Sequence, residues 1–240
     1  LVGSEMCIRD SLRTGMTPTL GFSIKSQLGG NSTLFNAGKT TNFTFSIVGH
    51  TFTEAEIDAI NAIDTSSKIR DRVKKINELG GTLCFKMMDD AICYNNFVLI
   101  DSCLPHIMAN ILVESNQANT KDLKEVTEQV ATINPLNYDT TYNQQFYTHK
   151  VKNFLVAAAL GMVPHTPWNG TYQANGGYLV VKADGDVLCY HFYDRNLFED
   201  YLYCNTKLET PSSSRYEFGK LYKNEANELC FKLNLQVRFK

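Results

Sequence analysis

The chain has 240 residues, 43% of them hydrophobic and 20% charged, with a formal net charge of −2. That length suits one large domain or two small ones, and the composition excludes a disordered or low-complexity chain. The near-neutral balance offers no general attraction for nucleic acid, but phosphate contact depends on the local field at a groove.

No apolar stretch reaches the roughly 20 residues needed to cross a bilayer. The longest, residues 154–163 (FLVAAALGMV), reads as a core helix. The seven cysteines include no C-x-x-C pair, and Cys84, Cys93 and Cys103 are too far apart for a zinc knuckle. They read as reduced, mostly buried thiols of a cytoplasmic protein. The sequons at Asn31, Asn42 and Asn169 are expected by chance in a chain so rich in Asn and Thr.

Residues 1–11, LVGSEMCIRDS, resemble translated adapter read-through. They lack a helical or strand period, a cleavable signal pattern and a starting methionine, and are expected to be a non-native scar, with the authentic protein beginning near Leu12. Residues 21–26 then read as a strand and Gly29-Gly30-Asn31 as a break. Residues 40–48 (TTNFTFSIV) alternate polar and apolar as a second strand. Thr53 with Glu56 forms a capping box, followed by Ile57, Ile60 and Ile63 at helical spacing. A helix is predicted over 67–79, closed by Gly80-Gly81, and a strand over 82–88. Residues 92–116 read as helical with a break before Pro105, and further helices are predicted over 121–133 and 144–161.

After residue 176 the character changes. Residues 177–193 form a hairpin pattern with Asp184-Gly185 at the turn, a short helix follows over 196–203, and strands over 218–223 and 228–239 flank residues 224–227. The order predicts an α+β or α/β fold: a mixed sheet with helices, then a C-terminal antiparallel β region. Residues 12–175 and 176–240 are expected to be parts of one structural unit.

The stretch LGFSIKSQLGG, residues 20–30, places Lys25 in a strand with Ser23 on the same face and no acid nearby. A lysine held rigidly in a strand grips phosphate well; the plain alternative is a solvated lysine on an exposed face. Ala37-Gly38-Lys39-Thr40 resembles the end of a P-loop, but Thr33 stands where the first glycine belongs and the segment leads into a strand. A nucleotide-binding enzyme is therefore only a remote alternative. The five histidines are scattered, and Ser212-Ser213-Ser214 lacks a nucleophile elbow. Asp89-Asp90 could hold a metal, but neighbouring strand residues point to opposite faces, so at most one would serve, and the pair reads better as a solvated helix start.

The block GFSIKSQLGGNSTLFNAGKTTNF, residues 21–43, resembles the HpaII-type restriction endonucleases, as do residues 176–222 and 232–239. The resemblance covers Leu12 to the C-terminus and would represent about the last two-thirds of a full-length enzyme. It implies a restriction-endonuclease-like core and a type II deoxyribonuclease of a restriction–modification system. Such an enzyme cleaves duplex DNA at C-C-G-G with Mg²⁺; a homodimer is a candidate assembly. In the wider nuclease superfamily an Asp on one strand precedes an acid-x-Lys triad on the next. Here the triad is Ser23-Ile24-Lys25, so the lysine is kept and the second acid is not. The resemblance makes Lys25 the catalytic lysine, with Ser23 and Gln27 as neutral oxygen donors beside it. Asp10 stands at the right distance for the upstream metal ligand, yet inside the suspected scar. Lys39, Thr40, Thr41, Lys182, Lys207, Ser213 and Arg215 are the candidate DNA contacts: Arg215, Lys207 and Lys182 for a guanine edge, and Ser213, Lys39, Thr40 and Thr41 for phosphates. The competing expectation is a catalytically incomplete DNA-binding fragment.

Overall fold

The computed structural model describes residues 5–9, 19–26, 31–118, 120–174, 176–182, 184–190 and 195–240. In chain order, strands β1 (Glu5–Arg9), β2 (Thr19–Ser26) and β3 (Thr33–Phe35) precede a single 3-10 turn at Lys39–Thr41. Strand β4 (Asn42–Val48), helices α1 (Glu54–Asn61) and α2 (Lys68–Glu78) and strand β5 (Thr82–Met88) follow. The helical middle comprises α3 (Ala91–Ile100), α4 (Leu104–Gln117), α5 (Leu123–Ile133) and α6 (Phe146–Ala159). Then come β6 (Gly177–Val181), β7 (Val187–Tyr190), α7 (Arg195–Cys204), β8 (Thr206–Leu208), α8 (Ser213–Tyr216), β9 (Leu221–Lys223), β10 (Leu229–Asn234) and β11 (Val237–Phe239).

The strands form three sheets, with orders β1-β2-β6-β7, β5-β4-β10-β9 and β3-β11-β8. The first is mixed, because β2 and β6 run parallel while its other pairs are antiparallel. The remaining two are antiparallel throughout. This is the expected α+β class. Each sheet combines strands from before and after residue 176, so the C-terminal β region is interleaved with the rest.

Local signals set most boundaries. Thr53 and Glu56 make the expected capping box at the start of α1. Asp90 caps α3 by accepting from Cys93 N at 2.8 Å, and Asp122 caps α5 by accepting from Lys124 N and Glu125 N. Pro105 sits in the first turn of α4, where no backbone donor is needed. A cluster of Phe35, Phe97 and Phe154 joins β3, α3 and α6, with ring centroids 5.1–5.8 Å apart. Leu104, Ile107, Met108 and Ile111 of α4 are fully buried beside it.

Some expectations need correction. The strand predicted over 40–48 begins at Asn42, because residues 39–41 form the 3-10 turn. That turn leads into a strand, not the helix a P-loop requires, which removes the nucleotide-binding reading. The strand predicted over 218–223 starts at Leu221. Gly219 before it has φ +81°, and a Cβ there would lie 2.0 Å from Ile69 Cδ1. The run predicted over 228–239 divides into β10 and β11, which enter different sheets, and Leu235 N donates to Thr41 O between them. Among the described cysteines, Cys93 and Cys230 are buried but Cys84, Cys189 and Cys204 are exposed. No single helix among the described residues is long and apolar enough to cross a membrane.

Candidate catalytic strand and nucleic-acid groove

Strand β2 lies between β1 and β6: β1 pairs with it over Thr19–Ser23 and β6 over Phe22–Ser26, so Lys25 is paired on the β6 side. Ser23 and Lys25 share one face by strand alternation, and their register partners on β6 are Tyr178 and Val180. Both of those are buried, so the Ser23–Lys25 face is the packed one. Burial holds the Lys25 ammonium below the usual lysine range. Across the β1–β2 pair, the position opposite Ser23 is Glu5. Gln27 and Asp10 lie outside the described residues. Among the described residues, no group of three or more His, Cys, Asp and Glu is placed to hold a metal. Those residues supply a lysine and a hydroxyl but do not by themselves make a magnesium site. Lys182 stands just beyond the end of β6: it follows Val181, the register partner of Ser26, and its backbone N–H donates to Asp186 O at 2.8 Å.

A second cluster forms where the turn at 38–41 meets α8. Thr41 Oγ1 donates to Gly38 O at 3.0 Å and accepts from Gly38 N at 3.1 Å. Thr41 is fully buried, so it shapes the turn rather than touching DNA, a correction to the expected phosphate contact. Lys39 is exposed and Thr40 half-buried on the outside of that turn. Asn234 Nδ2 donates to Gly38 O and to Asn42 Oδ1, each at 2.7 Å, and Asn42 Nδ2 donates to Tyr216 O at 2.9 Å. Lys39 also pairs with Glu217, the left-handed residue that ends α8. These contacts bring together two segments more than 170 residues apart in sequence. Ser212 caps α8 by accepting from Arg215 N at 3.4 Å, and the exposed Arg215 guanidinium stands 5.3 Å from the Tyr216 ring centroid.

Beneath α8, the buried Arg72 donates to Gly219 O, Asn61 O and Ile63 O at 2.6–2.8 Å. Asn61 donates to Leu221 O at 2.9 Å and accepts from Leu221 N at 2.8 Å, extending the hydrogen bonding of β9. Lys232 meets Asp89 at 2.6 Å, and Asp89 also accepts from the Thr44 hydroxyl. Burial is the largest influence and opposes the Lys232 charge, but the bond and charge of Asp89, with Tyr222, together outweigh it and hold the ammonium above its usual range. A groove of about 630 Å³ opens over these residues, lined by Lys68, Arg72, Lys220 and Lys232 against Asp64 and Glu217. Ser213 also lines it. Lys207 does not. It lies on β8, opposite Arg238 of β11 and bridged through its backbone to Asp122.

Sequence reasoning missed Lys68, Lys220 and Lys232. A signal existed for Lys232, a lysine inside the otherwise apolar run LCFKLN. Lys68 and Lys220 stand in ordinary polar surroundings and carry none.

The class these features define is an α+β protein with a desolvated strand lysine and a basic groove edged by a serine-rich loop. A sequence model of the HpaII restriction endonuclease family matches residues 5–239, and the chain belongs to that family. It is 49% identical over 228 residues to the type II restriction enzyme HpaII of Haemophilus parainfluenzae. The alignment covers 95% of this chain, which spans 62% of the length of that enzyme. No solved structure matches.

Proposed function

We propose that the protein acts as a type II restriction endonuclease, hydrolysing phosphodiester bonds of duplex DNA at C-C-G-G with Mg²⁺ as cofactor. One observation carries the reading: Lys25 stands withdrawn from water on an interior sheet strand, in a chain that belongs to the HpaII restriction endonuclease family.

Lys25 orients the attacking water and stabilises the charge that develops on the phosphate oxygens. Desolvation strengthens that interaction and lets the ammonium give up a proton more readily than a solvated lysine. The pairing of β2 with β6 along Phe22–Ser26 keeps Lys25 and Ser23 in fixed geometry. Arg215 is suited to bidentate contact with O6 and N7 of guanine, and Lys39, Thr40 and Ser213 to the flanking phosphates. Lys182 extends the phosphate contacts from the catalytic sheet, and Lys207 from β8. A palindromic target suits a homodimer, whose twofold axis would match that of the DNA. The cytoplasm, where foreign DNA meets the cell's own, is the compartment this function requires.

Incubation with Mg²⁺ and a duplex carrying C-C-G-G tests the reading. The protein should cut, and Lys25→Ala should abolish cutting while duplex binding stays within about threefold. Cutting by the variant would overturn the role of Lys25. A second reading, a protein that binds DNA without cutting it, draws on the lack of an acidic cluster among the described residues. Wild-type binding without cleavage would favour it.

A further inference from the structure

Beside the groove, three elements meet around a smaller cavity of about 330 Å³: the start of α2, the stretch before α5, and the serine run that leads into α8. Its polar lining consists mainly of hydrogen-bond donors. Lys68, Arg70 and Lys121 contribute cations, two serine runs (66–67 and 212–214) contribute hydroxyls, and among the described residues no Asp or Glu lines it. The cavity adjoins the groove: Lys68, Ser213 and Ser214 line both.

Two features bear on how the cavity would meet an anion. Lys121 is half-buried, and its ammonium donates to Asn116 Oδ1 at a long 3.4 Å. Burial, then repulsion from Arg70, lowers its pKa to about 8, against a weaker pull from Glu209. The second feature is the start of α2. Ser67 occupies the N-cap without making a side-chain capping bond, while Lys68 N donates to Thr65 O and Asp71 stands in the first turn. Lys68 pairs with Asp64 at 2.7 Å, but that carboxylate is 79% exposed, and such a pair gives way at little cost.

We infer that this cavity binds a phosphate group, and that in the working protein the group is a backbone phosphate of duplex DNA next to the segment held in the groove. The inference rests on the DNA-binding reading above and adds a contact that positions the duplex without reading sequence.

The test is a titration of duplex affinity against salt, with a C-C-G-G duplex and an unrelated one, for the wild type, Lys121→Met and Lys121→Arg. Calorimetry with inorganic phosphate runs alongside. Lys121→Met should reduce the slope of log K against log salt by about 0.9, with equal fold-loss on both duplexes. Lys121→Arg should behave like the wild type, and inorganic phosphate should bind the wild type but not Lys121→Met. Should Lys121→Met fail to fold, Arg70→Gln at an exposed position should give the same reduction. An unchanged slope overturns the assignment to DNA. Phosphate binding that depends on Lys121, with an unchanged slope, makes the cavity a site for free phosphate instead. If the wild type binds neither duplex, the functional reading fails on its own. Phosphate binding that depends on Lys121 then upholds the cavity, and its absence overturns it.

Discussion

Lys25 and Lys121 are both kept from water, and in both burial works against the charge. For Lys121 the consequence for stability is calculable in sign. Its folded pKa of about 8 lies below the ordinary lysine value of 10.5, so between those limits the unfolded chain binds more protons. Stability should therefore rise as pH climbs from about 8 toward 10.5, and Lys121→Met should lose that rise. Melting temperatures of the two proteins across the window check it, with Arg70 and Glu209 unchanged as the nearby charges. Arg215 makes a separate case, because it is exposed and lies in its own short helix beside the Tyr216 ring. If it reads guanine, Arg215→Ala should weaken binding to C-C-G-G by about 1–3 kcal/mol more than binding to an unrelated duplex. Equal loss on both, in competition titrations, would make it a phosphate contact.

The four-residue helix α8 is too short to hold its own shape. It is fixed from outside, by Asn42 on Tyr216 O, by Lys39 on Glu217 and by Arg72 on Gly219 O. Arg72 matters most, since one buried guanidinium satisfies three carbonyls from two separate segments. Arg72→Met should leave those carbonyls short of donors and cost about 3 kcal/mol or more. A urea midpoint lowered in proportion, with weakened binding to every duplex tested, is the expected result. An undisturbed midpoint would show that water replaces the guanidinium.

At the scale of the molecule, the C-terminus is structural. Strand β10 lies between β4 and β9, and β11 lies between β3 and β8, so residues 229–240 supply an interior strand to two of the three sheets. Chain ends are usually tolerant of loss because they are exposed, but these strands carry Phe231, Leu233, Val237 and Phe239, all buried. Deleting residues 229–240 should abolish cooperative thermal unfolding, read by circular dichroism. A variant that still melted sharply would mean that the remaining strands re-pair.

Elements governed by near neighbours were legible in the sequence. Thr53 and Glu56 announced α1, Asp184-Gly185 marked the β6–β7 turn, and strict limits held for β5, because caps, turns and alternation act within a few residues. Family-like blocks likewise pointed to Lys25, Lys39 and Arg215 as separate candidates. Which of them meet was decided only by tertiary structure. Asn42, Asn234 and Arg72 join segments more than 100 residues apart, and no local pattern encodes such contacts. Nor does any local pattern tell the buried Thr41 from the accessible Lys39 two positions before it, or the desolvated Lys121 from a solvated lysine, since burial depends on what the rest of the chain packs against each one.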